Sequence, residues 1–383
     1  MSITINTSPT GTPSAQDALW HVCSSTNSGE TDMRYVFDVI INAEQKIRVK
    51  KYPEPVTGKG YFDVSSVVKN SFLYDWFVPL ITAYLATPDD AGQIAIKYTL
   101  QVGEDVGGVT TTNMANVDVT VYNYTPPLFQ RRVFTIADKL NQWLTNRPLV
   151  IHAGLDENIF LPFYTDSENV QVECKTYDET NTLIDFESDA GDVNVPNGFI
   201  QMNIGSAAIM DVLPIVIDDT TKYYDVNLKS FGTVRVILKC NHKYTTIPIH
   251  FVNAFGMWET LHFDLVSRLM MDIERKSFAK RDYRFNGTAV DYIEGNVYHE
   301  TKINHLNKAD FIYKLTADAM TDGEYIWAAE LIYSPQLLME VDGYFYPVTI
   351  KNTNYEFSKH VNNKLKALEI EVEVNQTRYS HLR

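Results

Sequence analysis

Three segments of the chain come nearest to known chemistry. Thr57-Gly58-Lys59-Gly60 sets a lysine between glycines, the residue types that wrap backbone N–H groups and a cation around phosphate. A phosphate loop also needs a glycine upstream, and Pro53 stands there instead. Asp185-Phe186-Glu187-Ser188-Asp189-Ala190-Gly191-Asp192 places hard oxygen ligands at alternate positions, as a calcium loop does. Its glycine is displaced by one position and the closing bidentate glutamate is missing, so the segment reads as a solvated strand face running into a turn. His299-Glu300 opens like a zinc-protease motif, but no second histidine follows one helical turn on.

Other catalytic signatures are absent. No Gly-x-Ser-x-Gly elbow offers a serine nucleophile, and no Gly-x-Gly-x-x-Gly follows a strand. His250, His262 and His299 are scattered in or beside β runs without a partner at metal spacing, which suits structural histidines. Glu369, Glu371 and Glu373 alternate with apolar residues. They form one exposed strand face rather than carboxylates opposed across a cleft, and like charges there suit an edge guarded against stray pairing. Tyr74, Trp76 and Phe77, and separately Tyr344, Phe345 and Tyr346, could stack a sugar or a base, but no cations are interleaved with them, so core or interface roles fit better. No catalytic, cofactor-binding or metal-ligating residue is assigned, and neither enzymatic activity nor a cofactor is expected.

The bulk composition narrows the partners. A chain of 383 residues, 45% hydrophobic, exceeds one ordinary core and supports two or three domains. The 23 Tyr and 19 Phe favour pleated, half-buried surfaces and interfaces. A net charge of −15 without any block of Lys or Arg argues against wrapped nucleic acid or an anionic membrane as partner. Cys23, Cys174 and Cys240 are few, widely spaced and outside any zinc pattern, which suits small buried thiols in a reducing compartment. The first cation is Arg34 and no apolar run reaches membrane-spanning length, so neither a secretory signal nor a membrane span is expected.

The elements follow from periodicity. Residues 1–16, rich in Ser, Thr and Pro, read as an extended N-terminal arm that is either loose or ordered by a neighbouring subunit. An N-terminal β domain spans 17–127, with a hairpin of Tyr35–Ile41 and Lys46–Tyr52, and a short helix that Asp63 can cap. A middle β-sandwich domain spans 128–250. It starts with a strand at Val133–Ile136 and a helix near Asp138–Leu144, followed by alternating strands about Val170–Cys174 and Val234–Cys240. A C-terminal β domain spans 251–383. Its strands fall near Trp258–Leu265, Leu269–Lys276, Val297–Ile303, Phe311–Leu315 and Leu368–Val374. Its one amphipathic helix starts at the capping box Thr321-Asp322-Gly323-Glu324, carries a stripe of Tyr325, Ala328, Ala329, Leu331 and Ile332, and stops at Ser334-Pro335. The fold class is therefore mainly β: two to three β-sandwich-like domains with a few short helices.

The run Phe251-Val252-Asn253-Ala254-Phe255-Gly256-Met257-Trp258-Glu259-Thr260, the helix ending Ser334-Pro335 and the strand Tyr346-Pro347-Val348-Thr349-Ile350 together resemble tail and neck structural proteins of tailed bacteriophages, in particular those of Bacteroidetes phages including the crAss-like group. Arg34–Val39 and Gly60–Val64 are similar to the opening of such proteins. The resemblance covers about the first sixty and the last hundred-odd residues, in texture and order, and brings no catalytic motif. It implies a virion protein assembled in the host cytoplasm: a ring or adaptor subunit near the portal-to-tail junction or in the tail. Copies would close by head-to-tail contacts, and the partners would be other neck, portal or tail proteins, with DNA passing through the ring without specific binding. The alternative is a carbohydrate- or receptor-binding module of a fibre or baseplate. A depolymerase ranks last, because nothing supplies a nucleophile or metal.

Overall fold

The computed structural model describes residues 3–73, 85–86, 94–110, 114–125, 136, 141–165, 169–188, 193–194, 198–229, 231–239, 244–279, 283–285, 287–292, 302–351 and 366–379. The chain is mainly β and divides into two compact units: Met1–Asn241 with Phe251–Thr260, and His242–His250 with Leu261–Arg383.

The first unit begins with β1 (Ile3–Thr7), β2 (Trp20–Ser25), β3 (Arg34–Ile41), β4 (Glu44–Lys51), β5 (Gly60–Asp63), α1 (Ser65–Lys69), β6 (Leu85–Ala86), β7 (Ala95–Val106), β8 (Val109–Thr110) and β9 (Ala115–Tyr122). A three-stranded sheet β1-β2-β5 and a five-stranded sheet built on β4-β3-β7 share one core, with Cys23 and Phe62 on one side and Phe37, Val39, Tyr98 and Leu100 on the other. The expected hairpin is β3–β4. Its turn is Asn42-Ala43, both residues at positive φ (52° and 61°), the geometry that matches the twist of the flanking strands. Asp38 stands opposite Arg48 across the hairpin, and the guanidinium forks onto its carboxylate at 2.7 and 2.6 Å. Asp63 sits one residue before the N-cap, Val64, yet its carboxylate accepts the N–H groups of Leu19 and Ser65 at 2.9 and 3.0 Å.

The N-terminal segment differs from the expected extended arm. Ile3, Thr4 and Ile5 pair with β2 of the same unit, and Ile3 and Ala15 are buried in its core. Ala15 N–H donates to Tyr122 O at 2.9 Å, Tyr122 N–H to Pro13 O at 3.0 Å, and the Tyr124 hydroxyl to Thr12 O at 3.1 Å. The apolar alternation Ile3, Ile5 gives this stretch an inward face despite its Ser/Thr/Pro content.

The unit continues through β10 (Gln142–Trp143), β11 (Val150–Ala153), β12 (Phe160–Thr165), β13 (Asn169–Val170), β14 (Val172–Tyr177), β15 (Leu183–Ser188), β16 (Val193–Asn194), β17 (Gly198–Asn203), α2 (Ser206–Val212), β18 (Tyr223–Leu228) and β19 (Gly232–Leu238). A four-stranded sheet β10-β12-β17-β6 faces a five-stranded sheet β11-β19-β18-β14-β15. Phe163, Ile200 and Met202 of the first meet Val172, Val226 and Val236 of the second in one core, so this is a sandwich. Each such fully buried side chain contributes about 1.5–3 kcal/mol by leaving water. β6 pairs with β17, so chain from before residue 127 completes a sheet of the middle region, and both expected domains fall in one unit. The helix expected near Asp138–Leu144 is not formed over its described part: Gln142 and Trp143 are a strand beside β12, because Trp143 packs edge-on to Phe163. Val133, Phe134 and residues 138–140 lie outside the described residues.

Next come β20 (Ile247–Val252), β21 (Trp258–Phe263), β22 (Arg268–Ala279), β23 (Tyr283–Phe285), β24 (Val290–Tyr292), β25 (Lys302–Met320), α3 (Asp322–Tyr333), β26 (Leu337–Val341), β27 (Tyr344–Ile350), β28 (Lys366–Val374) and β29 (Arg378–Tyr379). Residues 251–260, expected to open a third domain, belong to the first unit. Asn253 accounts for much of this. Its Oδ1 accepts the N–H groups of Phe255 and Met257 at 2.9 and 3.0 Å. Its Nδ2 donates to Leu144 O at 2.8 Å and to the fully buried Glu259 at 2.9 Å. Gln201 Nε2 holds Trp258 O at 2.8 Å. Gly256, at φ +76°, fits because an added Cβ would stand 2.2 Å from Asn123 O.

The second unit is built on one sheet, ordered β21-β20-β26-β27-β28-β25-β22, with β29 beside β25. The capping box forms: Glu324 N–H donates to Thr321 Oγ1 at 3.3 Å, and Thr321 N–H to Glu324 Oε2 at 2.9 Å. The helix differs from the expected amphipathic one. Trp327, Ala328, Ala329, Glu330 and Leu331 are all buried, so it is enclosed around its middle rather than along one stripe. It packs on β25 and β28. β28 is also no edge: it lies between β27 and β25, and its glutamates are paired, Glu369 and Glu371 with Lys314 and Glu373 with Lys351. Among the described residues no helix is long and apolar enough to cross a membrane.

Candidate functional site

Most of the sequence candidates resolve into structural roles. Glu54, not a phosphate, fills the Thr57–Gly60 turn: its carboxylate accepts both the Thr57 N–H and hydroxyl at 2.6 Å, and Gly60 runs into β5. Asp185–Ser188 is the edge strand β15, and residues 189–192 lie outside the described residues. His250 is buried, 3.2 Å from Glu340 and beside the Phe345 ring. Burial lowers its pKa, and the hydrogen bond from His250 holds the Glu340 carboxyl below its usual range, so a neutral imidazole donates to a carboxylate. Cys23 and Cys174 are buried, and burial pushes both thiols up to about 12, which leaves them protonated and unreactive. Tyr344 is exposed at the tip of the β26–β27 hairpin, while Phe345 and Tyr346 are half-buried, so no aromatic platform forms there. Tyr74, Trp76, Phe77, His299, Glu300 and Cys240 lie outside the described residues.

A cleft of about 680 Å³ is lined by Leu155, Glu179, Asp218, Asp219, Lys222 and Lys239, among others. Asp218 is occupied in shaping its own turn through Thr220 N–H and hydroxyl at 2.9 and 2.6 Å. Among the described residues no group of three or more His, Cys, Asp or Glu could hold a metal ion.

The feature that no folding role explains is the β22–β25 ribbon. β25 runs for 19 residues, where periodicity indicates two short strands, and β22 pairs with it from Arg268↔Lys314 to Ala279↔Lys302. β28 accompanies β25 only from Ile312 onward. Beyond that point Met271–Ala279 extends roughly 27 Å at the strand rise of about 3.3 Å per residue. Every residue of β22 is exposed except Ser277, which is half-exposed.

Register sorts the ribbon into faces. Leu269, Met271 and Ile273 share one face with Tyr313, Phe311 and Ala309 opposite them. Leu269 and Met271 are each 55% exposed. Further along the sheet the same face is closed: Leu315 and Val372 are buried, while Lys314, Glu369 and Glu371 occupy the opposite face. A core-type face therefore continues past the cover of α3 and emerges bare. Phe278, Phe285 and Val290 add exposed apolar side chains in β22, β23 and β24. Scattered exposed apolar residues are ordinary, but a contiguous patch of this kind marks an interaction surface. The sequence signal is the density of Leu, Met, Ile and Phe in 269–285, between cations.

No protein-family model matches the chain, and the search of curated proteins finds no match.

Proposed function

We propose that this chain is a structural assembly protein, a ring or adaptor subunit of the neck or tail of a tailed phage, that acts by holding shape beside copies of itself. The bare face of the β22–β25 ribbon carries this reading: Leu269, Met271 and Ile273 continue a buried face into solvent, and a second molecule would cover them. The rigid sandwich of the first unit supplies a shape to hold, and the acidic balance of −15 suits a surface past which DNA slides without adhering. The phage assignment itself rests on the resemblance of residues 251–260, 334–335 and 346–350. The reading assigns no catalytic step and no cofactor.

The test is sedimentation velocity and electron microscopy of the purified full chain from about 1 to 100 µM. Discrete oligomers, annular in images, are the expected result. A strict monomer across that range, with no place in any assembled particle, overturns the reading. So does turnover of a substrate at a defined pocket.

A further inference from the structure

β22 is the last strand of its sheet, so its outer edge offers backbone N–H and C=O groups that nothing pairs among the described residues. The strand is exposed throughout Arg268–Lys276, and its ladder to β25 stays regular until the slip at Lys276/Ser277. Edges are usually kept short, bulged or proline-bearing, whereas this one is long and bares Leu269, Met271 and Ile273 on one face. Arg268, Asp272 and Glu274 occupy the opposite face, and Arg275 follows Ile273 on the apolar one. Within its own sheet Arg268 stands opposite another cation, Lys314, and it has no ion pair among the described residues. Glu274 holds the exposed Lys276 of its own strand at 3.4 Å, a pair that contributes little.

A second copy of β22 can extend the sheet antiparallel to the first, about a two-fold axis normal to the sheet. Such an axis keeps each face on its own side, so every residue meets one from the same face, and the register is named by the residue that meets itself. Charge decides which residue that is. Centring on Asp272, Glu274, Arg275 or Lys276 sets a charge against its own copy, and centring on Ile273 sets Asp272 against Glu274. Centring on Met271 sets Arg268 opposite Glu274 and Leu269 opposite Ile273, each twice, with Met271 against itself and Met270 opposite Asp272. Centring on Met270 also avoids like charges, but it engages only Arg268–Asp272 of the strand, where the Met271 register engages Arg268–Glu274. Like charges thus reject the registers on one side, and loss of paired length rejects those on the other.

We infer that the outer edge of β22 in one copy pairs antiparallel with the outer edge of β22 in a second copy, centred on Met271, by strand addition. Two Arg268–Glu274 pairs flank the axis on one face. On the other, Leu269, Met271 and Ile273 of both copies meet across the seam, continuing the row of Tyr313, Phe311 and Ala309 behind them. The occupant is a second copy because the strand read backwards complements its own charges and apolar residues in this register. The contact is isologous: it joins two copies and closes, so a larger ring takes a further, different contact. This inference rests on the assembly reading above and names one of its contacts.

The experiment measures self-association of the full chain by sedimentation velocity from about 1 to 100 µM in four forms: wild type, Arg268→Glu, Glu274→Arg, and both changes together. Each single reversal sets like charges opposite on both sides of the axis and should weaken association at least tenfold. The double exchange restores both pairs and should return to within about threefold of wild type. A second readout fixes the register. Under mild oxidation Met271→Cys should give a disulfide-linked dimer that wild type does not, because directly opposite residues of an antiparallel pair lie within reach of the bond, while Met270→Cys should not. If the wild type associates, neither reversal weakens it and Met271→Cys stays unlinked, the inference falls and the assembly reading stands. If the double exchange fails to recover what the single changes lose, Arg268 and Glu274 do not face each other and the inference falls. Linkage through Met270→Cys in place of Met271→Cys moves the axis and overturns the inference. If the wild type is monomeric throughout, both fall together.

Discussion

His21 Nε2 lies 2.8 Å from the Tyr98 hydroxyl, and the imidazole, only 1% exposed, also holds Ser8 Oγ at 3.1 Å through Nδ1. Burial lowers its pKa to about 4 against a smaller upward pull from Asp63. In the unfolded chain a histidine titrates near 6.5. Between pH 6.5 and 4 the unfolded state therefore binds a proton that the folded state refuses, and stability falls as pH falls. A tenfold difference in proton affinity corresponds to about 1.4 kcal/mol, so the loss reaches about 3 kcal/mol by pH 4. Thermal unfolding at pH 7.5, 6 and 4.5 should show this slope, and His21→Asn should flatten it. His250 acts in the same direction, while the lowered carboxyls of Asp105 and Glu340 contribute only below about pH 4.5, where unfolded acids begin to protonate. An unchanged slope in His21→Asn would remove His21 from this account.

Ala43 occupies a left-handed position, φ 61°, where glycine is at ease and a Cβ is strained. Two further two-residue hairpins, Gly107-Gly108 and Asp342-Gly343, use glycine at that second position. Ala43→Gly should stabilise the first unit by about 0.5–1 kcal/mol, read as a higher denaturant midpoint at constant slope.

Gly256→Ala should cost about 3 kcal/mol, because a positive φ and a Cβ at 2.2 Å from Asn123 O add together. Gly107→Ala is the control. Its φ is also positive, 59°, but nothing stands within 4 Å of the added carbon, so about 1 kcal/mol is expected. Equal losses in the two variants would show that the close approach at Gly256 does not matter.

Removing residues 2–16 strips β1 from its sheet and takes Ile3, Ala15 and the Pro13–Tyr122 bond with it. The melting temperature of the first unit should fall by about 5–10 °C. An unchanged melting temperature would mean that the segment adds nothing to its own unit.

Where a segment buries one face, its sequence announces it. Tyr35–Ile41, Val170–Cys174 and Leu368–Val374 all alternate or run apolar against a core and appear as strands near the expected bounds. The capping box at Thr321 is local chemistry and is equally legible. β25 is less so. Asn307, Lys308 and Asp310 interrupt its apolar pattern, because this stretch of ribbon is half-buried at most and has no closed core to impose a period. The interior place of β28 is hidden for another reason: Glu369, Glu371 and Glu373 look like the acids of a guarded edge until Lys314 and Lys351 arrive from distant sequence. The binding of residues 251–260 to the first unit depends on partners such as Leu144 and Gln201, more than fifty residues away, which periodicity does not see.

The ladder between β22 and β25 slips by one residue at Lys276/Ser277, and this slip sets how the ribbon can be held. Below it, Ile273 and Ala309 look to one side; above it, Phe278 and Ile303 look to the other. The ribbon thus bares apolar side chains on one face near its root, at Leu269, Met271 and Ile273, and on the reverse face near its tip, at Phe278. The extra residue, His305, is what brings Ile303 onto the face of Phe278: in an unslipped ladder of the same sequence Ile303 would stand opposite Ala279, on the side of Ile273.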